Sequence, residues 1–136
     1  MISNTPRTIM LVEDADDIRA MLKLHLEKDN YRVLAISNAS EAVEVALREL
    51  PDLILMDIEM PEMDGISATH ILRGYEQLQS IPIIALTAFD GEDYRADAGD
   101  AGCDGYLTKP VDFDELNKTI MLLISNRQGL TLSGGR

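Results

Sequence analysis

Cysteine occurs once in this sequence, bases are half as frequent as acids, and no unbroken apolar run exceeds the five residues 120–124. Each shortage excludes something. A lone Cys103 cannot form an internal disulfide, so a stapled secreted scaffold is ruled out and a reducing cytoplasm is the expected setting. The runs are far too short for a membrane span or a signal h-region. With 12 Lys+Arg against 24 Asp+Glu and a net charge of -12, the chain lacks the basic face that nucleic acid or an anionic membrane requires. What is present suits one globular domain. The 136 residues are 46% hydrophobic, and a chain of this size buries roughly two-thirds of its unfolded surface.

Four apolar runs, at 9–12, 33–36, 53–56 and 83–86, show no polar alternation. Such runs between turn signals predict strands covered on both faces. Gly105–Thr108 is a fifth, weaker strand that Pro110 stops. Helical spacing fills the gaps. Ile18, Met21, Leu22 and Leu26 share one face up to about Lys28. Asn38 with Glu41 forms a capping box ahead of the stripe Val43, Ala46, Leu47 and Leu50, which Pro51 ends. A third helix opens near Gly65 with Ala68, Ile71, Leu72 and Tyr75 inward. The fourth, near 91–101, has Gly99 inside and only Tyr94, Ala98 and Ala101 as an apolar face, so it should be the loosest. In the fifth, Asp112 caps, Glu115 closes the box, and Phe113, Leu116, Ile120 and Leu123 face the core. The pattern βαβαβαβαβα predicts an α/β fold: one five-stranded parallel sheet with helices on both faces, flavodoxin-like. Residues 1–126 form the domain, and the Gly/Ser/Thr-rich 127–136 reads as a disordered tail or truncated linker.

Ligands of open parallel sheets bind at the carboxyl ends of the strands. Those ends carry Glu13-Asp14, Asp57, Thr87 and Lys109-Pro110. Acids after the first and third strands should converge, and three close carboxylates repel unless a cation sits among them. Oxygen ligands without nearby His or Cys favour a hard ion, and room for water favours Mg2+ over calcium. Glu59 could add a backbone carbonyl. Lys109 supplies a mobile cation and Thr87 a hydroxyl. Metal, ammonium and hydroxyl around one carboxylate make a holder for a phosphoryl group, with Asp57 as nucleophile forming an acyl phosphate. Singly these residues have plainer roles: Asp14 or Asp16 could cap the first helix and Asp64 the third. Their common edge is what the plainer roles leave unexplained.

This constellation resembles the receiver domain of two-component response regulators over about residues 7–125. The motifs are Glu13-Asp14 after an apolar strand, Met56-Asp57 with Met60-Pro61 and Met63-Asp64-Gly65, Leu86-Thr87-Ala88, and Tyr106-Leu107-Thr108-Lys109-Pro110. The resemblance implies strand order 2-1-3-4-5. It implies Mg2+ held by Glu13, Asp14, Asp57 and the Glu59 carbonyl, and phosphate accepted by Asp57 from a histidine kinase's phosphohistidine. It implies Lys109 on a phosphoryl oxygen and a cis bond to Pro110. Thr87 and Tyr106 would form a switch read out on the fourth helix, fifth strand and fifth helix. Glu59 and Phe89 would flank the path of the hydrolytic water, Glu59 altering phosphoryl lifetime in a direction the sequence does not sign.

The expected function is thus a phosphorylation-activated receiver rather than a turnover enzyme. It would stand alone or be cut from a larger regulator, and be a monomer or a phosphorylation-dependent dimer. Its partners would be a histidine kinase or histidine phosphotransfer protein and a downstream effector. The alternative is an Mg2+-dependent aspartyl-phosphate phosphatase of the haloacid dehalogenase type, which needs Asp where Glu59 stands. A flavin binder needs a phosphate cradle where residues 13–17 are strongly anionic. His25 and His70 lack ligand spacing, Cys103 reads as a small hydrophobe, and the acidic stretch 90–104 as a solvated face.

Overall fold

Apolar runs become strands here because helices cover both sides of the sheet. The computed structural model describes residues 5–89 and 91–127. The elements are β1 (Thr8–Val12), α1 (Asp16–Lys28), β2 (Arg32–Ile36), α2 (Ala39–Glu49), β3 (Leu53–Asp57), α3 (Gly65–Arg73), β4 (Ile83–Thr87), α4 (Glu92–Ala101), β5 (Gly105–Thr108) and α5 (Phe113–Arg127). The strands are parallel in the order β2-β1-β3-β4-β5, as expected. In the three inner strands nearly every residue is buried, whereas the edge strands β2 and β5 are partly open.

Strand alternation divides the core in two. Met10, Val12, Ile54, Met56 and Ile83 pack with α2 and α3 residues, while Ile9, Leu11, Leu53, Leu55, Ile84 and Leu86 pack with Leu22 and Leu26 of α1 and Leu116, Ile120 and Ile124 of α5. Three helix starts follow their side chains. Asn38 Oδ1 accepts from Glu41 N at 2.9 Å, Asp64 Oδ1 from Ser67 N at 2.8 Å, and Asp112 Oδ1 from Asp114 N and Glu115 N at 2.9 and 3.1 Å. Each such cap contributes about 1 kcal/mol. The first helix differs: Ala15 occupies the cap position with no side-chain bond, so neither Asp14 nor Asp16 caps it.

Several buried stripes are rotated from the expected ones. Met21 is 52% exposed and lines an apolar groove with Ile18, Pro110, Val111 and Phe113. In α2 the buried residues are Ala39, Ala42, Val45 and Ala46, with Val43 and Leu47 half-buried. Leu50 is exposed and left-handed at φ 47°, because Pro51 denies the preceding residue the helical region. Gly65, Ala68, Thr69 and Leu72 form the inner face of α3, leaving Ile71 and Tyr75 exposed. Small residues let α2 and α3 approach the sheet closely, and that turns the larger apolar groups outward. Tyr94 is likewise exposed, whereas Ala98 and Ala101 are buried as expected. A 3-10 turn at Glu76–Leu78 follows α3.

Polar groups fasten the edge of the sheet where the strands begin. Arg73 Nε donates to the Gly102 carbonyl at 3.0 Å, Nη1 to the Leu78 carbonyl at 2.8 Å, and Nη2 to Asp104 at 2.9 Å, tying α3 to the entry of β5. Asp52 Oδ2 accepts from Thr8 N at 2.7 Å, while Oδ1 faces Arg127 at 3.4 Å. Helix α5 thus includes Arg127, and the rest of the expected tail, 128–136, lies outside the described residues, as does Asp90.

Gly65 joins the fold to the site. A Cβ there would lie 2.3 Å from the Asp57 carbonyl oxygen and 2.9 Å from both Ile58 Cα and Met56 Cγ. Two of these neighbours are backbone, so the end of β3 would have to move. Gly65→Ala should therefore cost about 1–3 kcal/mol, read as a lower urea midpoint with an unchanged slope.

Candidate functional site

Strand register places the acids. Val12 pairs with Met56 across β1 and β3, and Asp57 pairs with Leu86 across β3 and β4. Glu13 and Asp57 therefore leave adjacent strands side by side, both 1% exposed. Asp14 is exposed, and one carboxylate oxygen from each of the three lies within 4.8 Å of the others. Lys109, carried by the exit of β5 and the cis Lys109-Pro110 bond, brings Nζ to 3.1 Å from Asp57 Oδ1 and 3.0 Å from Glu13 Oε1. Arg19 Nη1 donates to the Glu13 carbonyl at 3.0 Å and bridges the acidic loop to α1.

The two oxygens of Asp57 differ. Oδ1 receives Lys109 and, at 3.1 Å, the Glu59 backbone N–H. Oδ2 is buried with no hydrogen-bond partner. Glu13 shows the same division: Oε2 accepts from Ala15 N at 3.2 Å, whereas Oε1 is buried with the ammonium nearby but no hydrogen bond. Buried carboxylate oxygens without donors are costly. Burial, then the neighbouring Glu13, pushes the Asp57 pKa up to about 7 against the pull of Lys109. Burial alone would weaken the Lys109 ammonium, but Glu13 and Asp57 outweigh it and hold its pKa above the ordinary lysine value. Asp57 Oδ2 without a partner, Glu13 Oε1 with only the Lys109 ammonium near it, and an exposed third carboxylate fit a hard divalent cation that keeps some of its water.

Thr87, buried at the end of β4, donates its hydroxyl to Glu59 Oε2, and the Ala88 N–H donates to Glu59 Oε1 at 2.8 Å. Thr87 Oγ1 in turn accepts from Phe89 N at 3.1 Å. The Glu59 side chain thus reaches across to β4, a placement its spacing from Asp57 does not reveal. Tyr106 is half-buried, its hydroxyl donating to the Phe89 carbonyl at 2.7 Å and its ring 4.6 Å from the Arg95 guanidinium. Phe89 stacks on Tyr94 at 5.0 Å. The Ala88 amide and Arg95 were missed by sequence reasoning. Arg95 was the one base in an acidic stretch, and that was its only signal. His25 packs on Phe113 at 4.1 Å and meets Asn117 at 2.9 Å. No helix among the described residues is long and apolar enough to cross a membrane.

Comparison with known proteins agrees with this geometry. The family model for the response regulator receiver domain matches residues 9–121. The polar-differentiation response regulator DivK of Brucella anthropi is 36% identical over 117 residues, 85% of this chain and 94% of DivK. The transcriptional regulatory protein SrrA of Staphylococcus aureus is also 36% identical over 91% of this chain, which spans about half of SrrA (50%). The receiver domain of the Pseudomonas aeruginosa sensor histidine kinase PA1611, solved with magnesium coordinated in its active site cleft, superposes with a TM-score of 0.82 at 36% identity, covering 88% of this chain and 98% of that one.

Proposed function

The chain belongs to the response regulator receiver family of two-component signalling, and on that premise we propose that Asp57 is its phosphoryl acceptor. The observation that carries the reading is Asp57 Oδ2, a buried carboxylate oxygen with no hydrogen-bond partner beside Glu13 and Asp14. The donor is a histidine kinase or histidine phosphotransfer protein. Oδ2 attacks phosphorus, an O–P bond forms, the N–P bond of phosphohistidine breaks, and the imidazole leaves with that electron pair. Glu13, Asp14, Asp57 and the Glu59 carbonyl are the proposed Mg2+ ligands, and the ion would supply charge neutralisation for the carboxylates and the transferring group. Lys109 holds Asp57 Oδ1 and so leaves Oδ2 as the attacking atom. Thr87 and Tyr106 report the new charge to α4, β5 and α5, where an effector binds.

The proposed domain, expected to stop at 126, runs through Arg127 of α5. It is a stoichiometric acceptor rather than a turnover enzyme, acting in the cytoplasm alone or within a longer regulator. The haloacid-dehalogenase-type alternative gains no support: Glu59, which stands where its acid/base would be, has its carboxylate on Thr87 and Ala88.

Beryllofluoride with magnesium, followed by amide NMR, tests the proposal. Shifts are expected around Asp57, Thr87 and Lys109, extending to Tyr106 and α4. No response at Asp57 would overturn the acceptor assignment, and a response confined to Asp57 would overturn the switch alone.

A further inference from the structure

Glu59 is a half-exposed side chain whose carboxylate is fully engaged by the protein. One oxygen takes the Thr87 hydroxyl and the other takes the Ala88 N–H at 2.8 Å. Both donors lie at the end of β4, immediately after Leu86, the residue paired with Asp57 in the register. They are therefore neutral donors that directly follow, on the adjoining strand, the residue paired with Asp57. A phosphoryl group on Asp57 carries negatively charged oxygens that need donors in this region, and Lys109 alone supplies no more than part of that set. In the unmodified protein an anion already holds the donors on the β4 side.

We propose that the Glu59 carboxylate is a resident anion occupying the phosphoryl-binding donors of β4, so that Asp57 accepts phosphate only as Glu59 is displaced. This inference rests on the reading of Asp57 as the acceptor. Two effects oppose the incoming group: its charge is repelled by the carboxylate, and the Thr87 and Ala88 donors must exchange one anion for another. Glu59 has room to leave, because it is partly open to solvent. The Glu59 backbone N–H stays on Asp57 Oδ1 at 3.1 Å in either case, so substituting the side chain leaves that contact in place. Displacement would also release the Thr87 hydroxyl, which couples acceptance to the movement of Thr87.

The test uses the full chain with magnesium and a small phosphodonor such as acetyl phosphate, following incorporation by intact mass, together with the Ala88 amide resonance in the unmodified protein. Glu59→Ala should phosphorylate about tenfold faster, the scale of one charge-assisted hydrogen bond, and its Ala88 amide should shift before any donor is added. Glu59→Gln, which keeps the size and loses the charge, should fall between Ala and wild type. Equal or slower phosphorylation in both variants, with Asp57 still modified, would overturn the inference and leave the acceptor assignment standing. An Ala88 amide indifferent to Glu59→Ala would overturn it too. Absence of phosphorylation in all three proteins would overturn the acceptor assignment itself, and this inference with it.

Discussion

Asp57→Asn should abolish phosphoryl incorporation and, in the absence of divalent cation, yield a more stable protein. The first effect follows because the amide is no longer a carboxylate nucleophile, while the backbone contacts at the end of β3 remain. The second follows from the electrostatics. Asp57 is buried, lies beside Glu13, and holds its proton up to about pH 7 rather than the ordinary 3.8. A carboxyl with a raised folded-state pKa favours the folded protein fully below about pH 4. That contribution is lost as pH rises through about 7. Above that, the wild-type protein carries an ionised group its surroundings resist. At pH 8 the variant should be more stable by about 1–2 kcal/mol, and the gap should close on acidification. Magnesium should reverse the order: at a hundred times its dissociation constant a ligand adds about 2.7 kcal/mol, and the variant has lost one of the proposed ligands. Urea titrations at pH 5 and pH 8, with and without magnesium, check each point. A variant no more stable than wild type at pH 8 would mean that the carboxylate is better solvated than its burial implies.

Lys109→Met should have the largest effect in the opposite direction. Its ammonium lies 3.0 Å from Glu13 Oε1 and 3.1 Å from Asp57 Oδ1, and both carboxylates are buried. Removing the ammonium leaves Glu13 and Asp57 without their counterion, with a cost of about 3 kcal/mol at pH 8 without divalent cation. The double variant Lys109→Met with Asp57→Asn should recover a large part of the loss, because one of the two stranded charges has gone. A double-variant cycle read by urea unfolding measures that coupling. If the two changes simply added, Lys109 would not be the counterion of Asp57. Beryllofluoride should still perturb Asp57 in the single variant but fail to reach Tyr106, which lies on β5, the short strand that ends just before Lys109.

The fold was legible because its strands are apolar on both faces. Met10 and Leu11, or Leu53 and Ile54, point to opposite cores, so the runs could not belong to a sheet with one wet side. Once the strands were placed, Glu13, Asp14, Asp57, Thr87 and Lys109 fell at one edge without further assumption. The helix faces were less legible. Periodicity located α2 and α3, but it ranks Leu50, Ile71 and Tyr75 as inward, whereas close packing is governed by Ala42, Ala46, Gly65 and Ala68. Long-range bonds left no local pattern at all. The bonds of Arg73 to Gly102 and Asp104 and the reach of Glu59 to Thr87 depend on distant residues meeting, and only coordinates supply that.

The bonds of Asp52 have an architectural consequence. One carboxylate receives the start of β1 through Thr8 and faces the end of α5 through Arg127, at the sheet edge opposite Asp57. Both leads of the domain therefore emerge from its back. The reacting face and the anchoring of β1 and α5 are thus fastened separately: a change at Asp52 acts on the back of the sheet and leaves Glu13, Asp14 and Asp57 in place.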